Sequence, residues 1–140
     1  MARIEKSPIG QTPFQQLLGH NPNILEAWGN LAAQLEREGS LSAELKEQVR
    51  RTLAQGNGCA YCKAKGKPDQ HHVDEKTVLA TGFANVLLKN RDAIDDKLFL
   101  LLREQFSTKE ISELCAFIAF TTAQQYYGAM MGLEAESPNS

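Results

Sequence analysis

Several features that would give away a function are scarce in this chain, and each scarcity removes a class. Of its 140 residues only 3 are cysteine, an odd count that does not suit a disulfide-stapled secreted scaffold. Basic residues are not in surplus: 15 Lys and Arg face 17 Asp and Glu, for a net charge of -2. Such a balance makes no positive field to attract nucleic acid or an anionic membrane surface. Long hydrophobic runs are missing as well, the longest being Leu114 to Phe120, far below the length that crosses a bilayer. The first residues, Met1-Ala2-Arg3-Ile4-Glu5-Lys6, have none of the apolar stretch of a signal peptide, so the expectation is a soluble, cytoplasmic protein. No Val/Ile/Thr-rich alternating run bounded by turns is present, which argues against a sheet.

What is present reads as helix. With 42% apolar residues, the chain fits one all-α domain spanning 1–140 that buries roughly two-thirds of its unfolded surface and needs no metal or disulfide staple to fold. Thr12-Pro13 and Asn21-Pro22 each set a capping residue before a proline at the first helical position, predicting a short helix to about Leu18 and a longer one over 22–37. Ser40 or Ser42 opens a third helix, which Gly56-Asn57-Gly58 stops. A short helix of about two turns carrying the cysteines follows, ended by Gly66, Lys67 and Pro68. Apolar periodicity predicts further helices over 74–89 and 93–104. Ser107 with Glu110 three residues on forms a capping box that opens a last helix over 108–131. That helix is apolar nearly all round, which fits either an oligomer interface or a central helix of one subunit. Residues 1–10 and 134–140 read as frayed ends.

The chemistry is concentrated in Gly58-Cys59-Ala60-Tyr61-Cys62. Two thiols three positions apart at a helix start can cycle through a disulfide, because unpaired backbone N–H groups there favour the thiolate. Lys63, Lys65 and Lys67 add positive charge nearby. A buried inert pair and a zinc site with His71 or His72 are the competing readings. Tyr61 fits either packing or donation of a hydrogen bond to sulfur or substrate. Cys115 lies on an apolar helix face and reads as core.

Leu41, Glu47 and the Gly58–Cys62 motif together resemble the alkylhydroperoxidase D and carboxymuconolactone decarboxylase family, whose redox branch keeps a glutamate twelve positions before the first cysteine, as Glu47 stands here. Asn21 to Trp28 resembles the family's first helix, and Phe106 to Ile111 its final helix entry. The resemblance spans about residues 14–131. It implies an all-helical subunit of a homo-trimer or homo-hexamer that reduces a small-molecule peroxide or disulfide and is recharged by a dithiol reductant protein, with no cofactor. It further implies that Cys62 attacks, Cys59 resolves and Glu47 accepts the proton. The helix-dipole argument taken alone instead favours Cys59 as the more acidic sulfur.

One position departs from the family. Its relay histidine sits four residues after the second cysteine, and here that residue is Gly66. If the helices flanking Gly56-Asn57-Gly58 fold back on each other, equal rise per residue brings Gly66 level with Glu47 and predicts a vacancy beside the glutamate. His71 or His72 could supply an imidazole there, or Lys65 or Lys67 an ammonium that would make Glu47 a structural anion. Besides the thiol-redox reading, the sequence therefore leaves open a metal-binding or sensory module and an oligomeric family member whose peroxidase activity has decayed.

Overall fold

A computed structural model of the chain describes residues 1–70 and 74–135. These form seven α-helices and one 3-10 turn with no strand: α1 Pro13–Leu18, α2 Pro22–Glu36, α3 Ala43–Ala54, α4 Ala60–Lys63, α5 Glu75–Lys89, the turn Arg91–Ala93, α6 Asp96–Gln105 and α7 Thr108–Met130. The all-α expectation is met.

Local chemistry sets most helix ends. The Thr12 hydroxyl accepts from the Gln15 amide and the Gln15 side chain accepts from the Thr12 amide, closing a capping box at α1. Ser42, Asp74 and Asp95 cap α3, α5 and α6 in the same sense, and the Ser107–Glu110 box caps α7. Each such cap is worth about 1 kcal/mol. Asn21 departs from expectation, since its side chain makes no capping bond and Pro22 alone starts α2. The cysteine helix is also shorter than two turns: α4 holds four residues, and the chain leaves it through Gly66 at φ +130°.

The main core lies between α3, α5, α6 and α7. Leu45, Val49 and Leu53 of α3 meet Ala80, Phe83 and Ala84 of α5, and Leu102, Leu114 and Ile118 close the cluster. A second, smaller core forms at the other end of α3, from Leu17, Ala54, Cys59, Tyr61, Cys62 and Leu133. The N-terminal segment seals it. Arg3 donates from its backbone to Met131 O and from its guanidinium to Ala129 O and Met130 O, and the buried Ser7 hydroxyl donates to Gln16 O. Arg3 thereby docks on carbonyls left open at the C-terminal end of α7, and Ser7 on α1. Of the tail read as frayed, Glu134 ion-pairs with the Met1 amino group at 2.8 Å, and residues 136–140 lie outside the described part.

Helix α7 packs against α2, α3, α4 and α6. Its buried residues run from Ile111 to Gly128, and Tyr126 and Met130 remain exposed. Within the subunit α7 is thus a central helix that keeps part of its apolar surface exposed.

Candidate functional site

Gly58, at φ +78°, lets the chain turn back after α3 and sets Cys59 at the N-cap of α4. Cys59 and Cys62 are joined in a disulfide with their Cα atoms 5.2 Å apart. The Cys62 amide donates to Cys59 Sγ at 3.2 Å, so the backbone favours negative charge on Cys59, as the dipole argument anticipates. Exposure ranks the two residues the other way: Cys59 is 1% exposed, whereas Cys62 is 8% exposed and lines a cavity of about 320 Å³. This cavity lies between α1, α2, α3, α4 and α7 and is lined by Phe14, Leu25, Trp28, Arg50, Gln124 and Gln125 among others.

Glycine in α7 makes the disulfide's position possible. A Cβ on Gly128 would stand 2.5 Å from Cys59 Sγ and 3.6 Å from Cys62 Sγ, so only a residue without a side chain lets the helix approach so closely. A buried amide pair fixes the turn from the other side. Asn57 Nδ2 donates to Gln125 Oε1 at 2.8 Å, and Gln125 Nε2 donates to the Arg50 carbonyl at 3.2 Å. Arg50 Nη1 in turn donates to the Cys62 carbonyl at 3.2 Å. Backbone and side chains of α3, α4 and α7 are thereby tied together around the sulfurs.

Glu47 does sit level with this hairpin, but two arginines occupy it. Arg50 donates from Nε and Nη2 to the two carboxylate oxygens at 2.9 and 2.8 Å, and Arg51 Nε donates to Oε1 at 3.0 Å. Burial opposes ionisation of this carboxyl, yet the hydrogen bonds and charge of Arg50, then those of Arg51, together outweigh it and lower its pKa below the ordinary value. A fork-shaped arginine pair makes a stronger anchor than a single ammonium does. The carboxylate is therefore held by arginines of the same helix at i+3 and i+4.

The expected vacancy is also filled. A Cβ on Gly66 would lie 3.5 Å from Arg51 Nε and 3.6 Å from Arg51 Cζ, so the guanidinium stands where a side chain of residue 66 would reach toward Glu47. Arg51 Nη1 further donates to Lys67 O at 3.3 Å and pairs with Asp69 at 3.5 Å, while Gln48 and Asp69 exchange hydrogen bonds of 2.9 and 2.7 Å. The loop after α4 is thereby fastened along α3.

Tyr61 is buried in the small core, and its ring carries Lys65 Nζ at 4.6 Å from the centroid, a cation–π contact. His71 and His72 lie outside the described residues, so the structure does not place the imidazole candidates. Among the described residues no cluster of three His, Cys, Asp or Glu is arranged to hold a metal ion, and the two thiols are spent on each other in this state. Cys115 is half-buried and distant in sequence from the pair; burial raises its thiol pKa.

The sequence reading passed over Arg50 and Arg51, although i+3 and i+4 spacing from Glu47 is a sequence signal for ion pairing on one helix. Asn57, Gln125 and Gly128 have no such signal, because their roles arise only where α7 crosses α3 and α4.

Among the described residues no helix is long and apolar enough to cross a membrane. No family model matches the chain, and no curated protein does. In structure the chain is similar to an uncharacterized peroxidase-related protein from Silicibacter sp. TM1040, with a TM-score of 0.76 at 16% identity over 88% of this chain and 75% of that one; the likeness shows a shared helical fold.

Proposed function

We propose that the chain is a thiol-dependent oxidoreductase that reduces a small hydroperoxide or disulfide by cycling Cys59 and Cys62. One observation carries this reading: Cys62, one half of the disulfide, lines a partly open cavity of about 320 Å³. The peroxidase-related description of the structural neighbour supports the same reaction class. A cysteine whose residue is only 8% exposed and that borders a cavity suits a small substrate better than a folded protein.

The steps balance without a metal or organic cofactor. The reduced Cys62 thiol gives its proton to solvent, and the thiolate attacks the outer peroxide oxygen. The O–O bond breaks, leaving a Cys62 sulfenic acid, and the departing alkoxide takes a proton to become the alcohol. The Cys59 thiol then displaces water from that sulfenic acid and forms the disulfide. Two electrons from a dithiol, by exchange at sulfur, return both thiols. Against a disulfide substrate, Cys62 attacks one sulfur and Cys59 resolves the mixed disulfide in the same way.

Glu47 serves here less as a base than as an anchor. Its depressed pKa makes it a weak proton acceptor, while its bond to Arg50 holds that guanidinium against the Cys62 carbonyl. The decayed-relay reading differs from this one in a measurable way. Incubating the reduced protein with cumene hydroperoxide should consume the two thiols of the pair and produce one equivalent of alcohol, and Cys62→Ser should abolish both. Unchanged thiols after peroxide and after a small disulfide would overturn the proposal.

A homo-trimer or homo-hexamer belongs to the same proposal. Val78, Leu100 and Leu101 of α5 and α6 are each more than half exposed, an apolar strip that self-association would cover.

A further inference from the structure

The cavity beside Cys62 carries polar groups that the thiol chemistry does not use. Gln15 and Gln124 line it, and the orientation of both amides is fixed by partners that can only donate. Gln15 Oε1 accepts from the Gln11 and Thr12 amides at 2.9 and 3.4 Å, and Gln124 Oε1 accepts from the Trp28 indole at 3.2 Å. With both oxygens engaged, each side chain has its NH2 left to offer, and among the described residues neither Nε2 has a hydrogen-bond partner. Thr121 adds a hydroxyl. The residue is 3% exposed and its side chain makes no hydrogen bond among the described residues, yet no fully enclosed side-chain polar atom there lacks a partner. The Thr121 hydroxyl therefore opens onto the cavity that the residue lines. Charge on the lining is balanced: Glu47 holds the Arg50 guanidinium, and Glu36 and Lys65 contribute opposite signs.

We propose that Gln15, Gln124 and Thr121 select substrates that carry neutral carbonyl acceptors, an amide-bearing disulfide or hydroperoxide rather than a hydrocarbon one. The inference rests on the thiol-redox reading for the reaction at sulfur and adds what the rest of the substrate must offer. A carbonyl oxygen accepts from the glutamine N–H groups and the threonine hydroxyl without an ion leaving water, while Phe14, Leu25 and Trp28 cover the carbon body. A hydrocarbon substrate would instead displace water from these donors and leave them unpaired. A carboxylate would gain little over a neutral carbonyl, since the lining has no surplus of positive charge.

Trp28 provides a direct readout, because it lines this cavity and is the single tryptophan of the chain. In the full oxidised chain its emission would be followed as hexamethylene bisacetamide is added, an inert diamide with two methylenes where N,N′-diacetylcystamine has its disulfide. The expected result is a saturable change, with binding at least tenfold weaker for suberate and for hexamethylenediamine, whose ends are charged. Gln15→Glu and Gln124→Glu each keep the oxygen that Gln11, Thr12 or Trp28 bonds and delete the donors, so each should weaken the diamide at least fivefold. Thr121→Val keeps the side-chain shape, adds no charge and should weaken it likewise. In the reduced chain, Cys62 and Cys59 should cleave N,N′-diacetylcystamine to two thiols at least tenfold faster than dipropyl disulfide, each rate being divided by that with dithiothreitol. No saturable binding of the diamide, equal binding of suberate, or undiminished binding by all three variants would overturn the inference. A diamide that binds while the reduced chain leaves N,N′-diacetylcystamine intact would uphold the selective site and overturn the thiol-redox reading instead.

Discussion

Glu47 illustrates how a residue found by its position in the sequence changes meaning when its neighbours are known. Its ion pairs lower its pKa, so the pairing stabilises the folded chain at pH values above the unfolded carboxyl's pKa, and that stabilisation is lost as pH falls through the depressed folded value. The side chain is 41% exposed, so screening keeps the effect below about 1 kcal/mol. Urea denaturation of Glu47→Gln should therefore show a small deficit against the parent at pH 7 that narrows at pH 3. An equal deficit at both pH values would mean that packing, not charge, is the role of Glu47. Gly128 makes the complementary case, in which the absence of a side chain matters. Gly128→Ala would drive a methyl into Cys59 Sγ, and overpacking of this kind costs about 1–3 kcal/mol. Thermal denaturation of the oxidised protein checks this, and an unchanged midpoint would show that α7 shifts freely.

Between elements, the decisive contacts are those of α3 with α4 and of α2 with α7. The α3–α4 hairpin was anticipated from the double glycine, and the Arg50 to Cys62 carbonyl bond confirms that it folds back in about the expected register. Yet α4 ends after four residues and Gly66 adopts φ +130°, a conformation that costs a side-chain-bearing residue about 1–3 kcal/mol. Gly66→His should accordingly lower stability and leave peroxide turnover no higher than in the parent, since Arg51 already stands beside Glu47. A gain in turnover would show that an imidazole relay is what this site lacks. Helix α2 has no buried residue of its own and is held by Trp28, whose indole nitrogen donates to Gln124 at 3.2 Å and whose ring meets Phe14, Phe120 and Tyr127 at 6.3, 5.2 and 5.9 Å. Trp28→Ala should loosen this cover and speed reduction of the disulfide by dithiothreitol severalfold, measured by thiol release. An unchanged rate would mean that reductant reaches Cys62 without passing α2.

For the whole molecule, two cores share α3 and α7, and the disulfide sits in the smaller one while the main core leaves apolar surface at α5 and α6. Sedimentation should find the chain as a homo-oligomer, with Leu101→Glu shifting it to lower mass; a monomeric parent would remove the assembly from the proposal. The sequence by itself determined the all-α class, nearly every helix start and the chemical focus on Cys59 and Cys62, because caps, turn glycines and helical periodicity act over a few residues and are written locally. The arginine clamp on Glu47 also had a local signal, its i+3 and i+4 spacing, although the sequence reading turned to Lys65 and Lys67 instead. Only the tertiary structure decided which cysteine lines a cavity, that Arg51 fills the space beside Gly66, that Gly128 must be bare and that Arg3 and Ser7 dock the N-terminal segment. Those outcomes depend on pairs such as Asn57 and Gln125, 68 positions apart, whose meeting follows from how the helices pack and from no pattern within either segment.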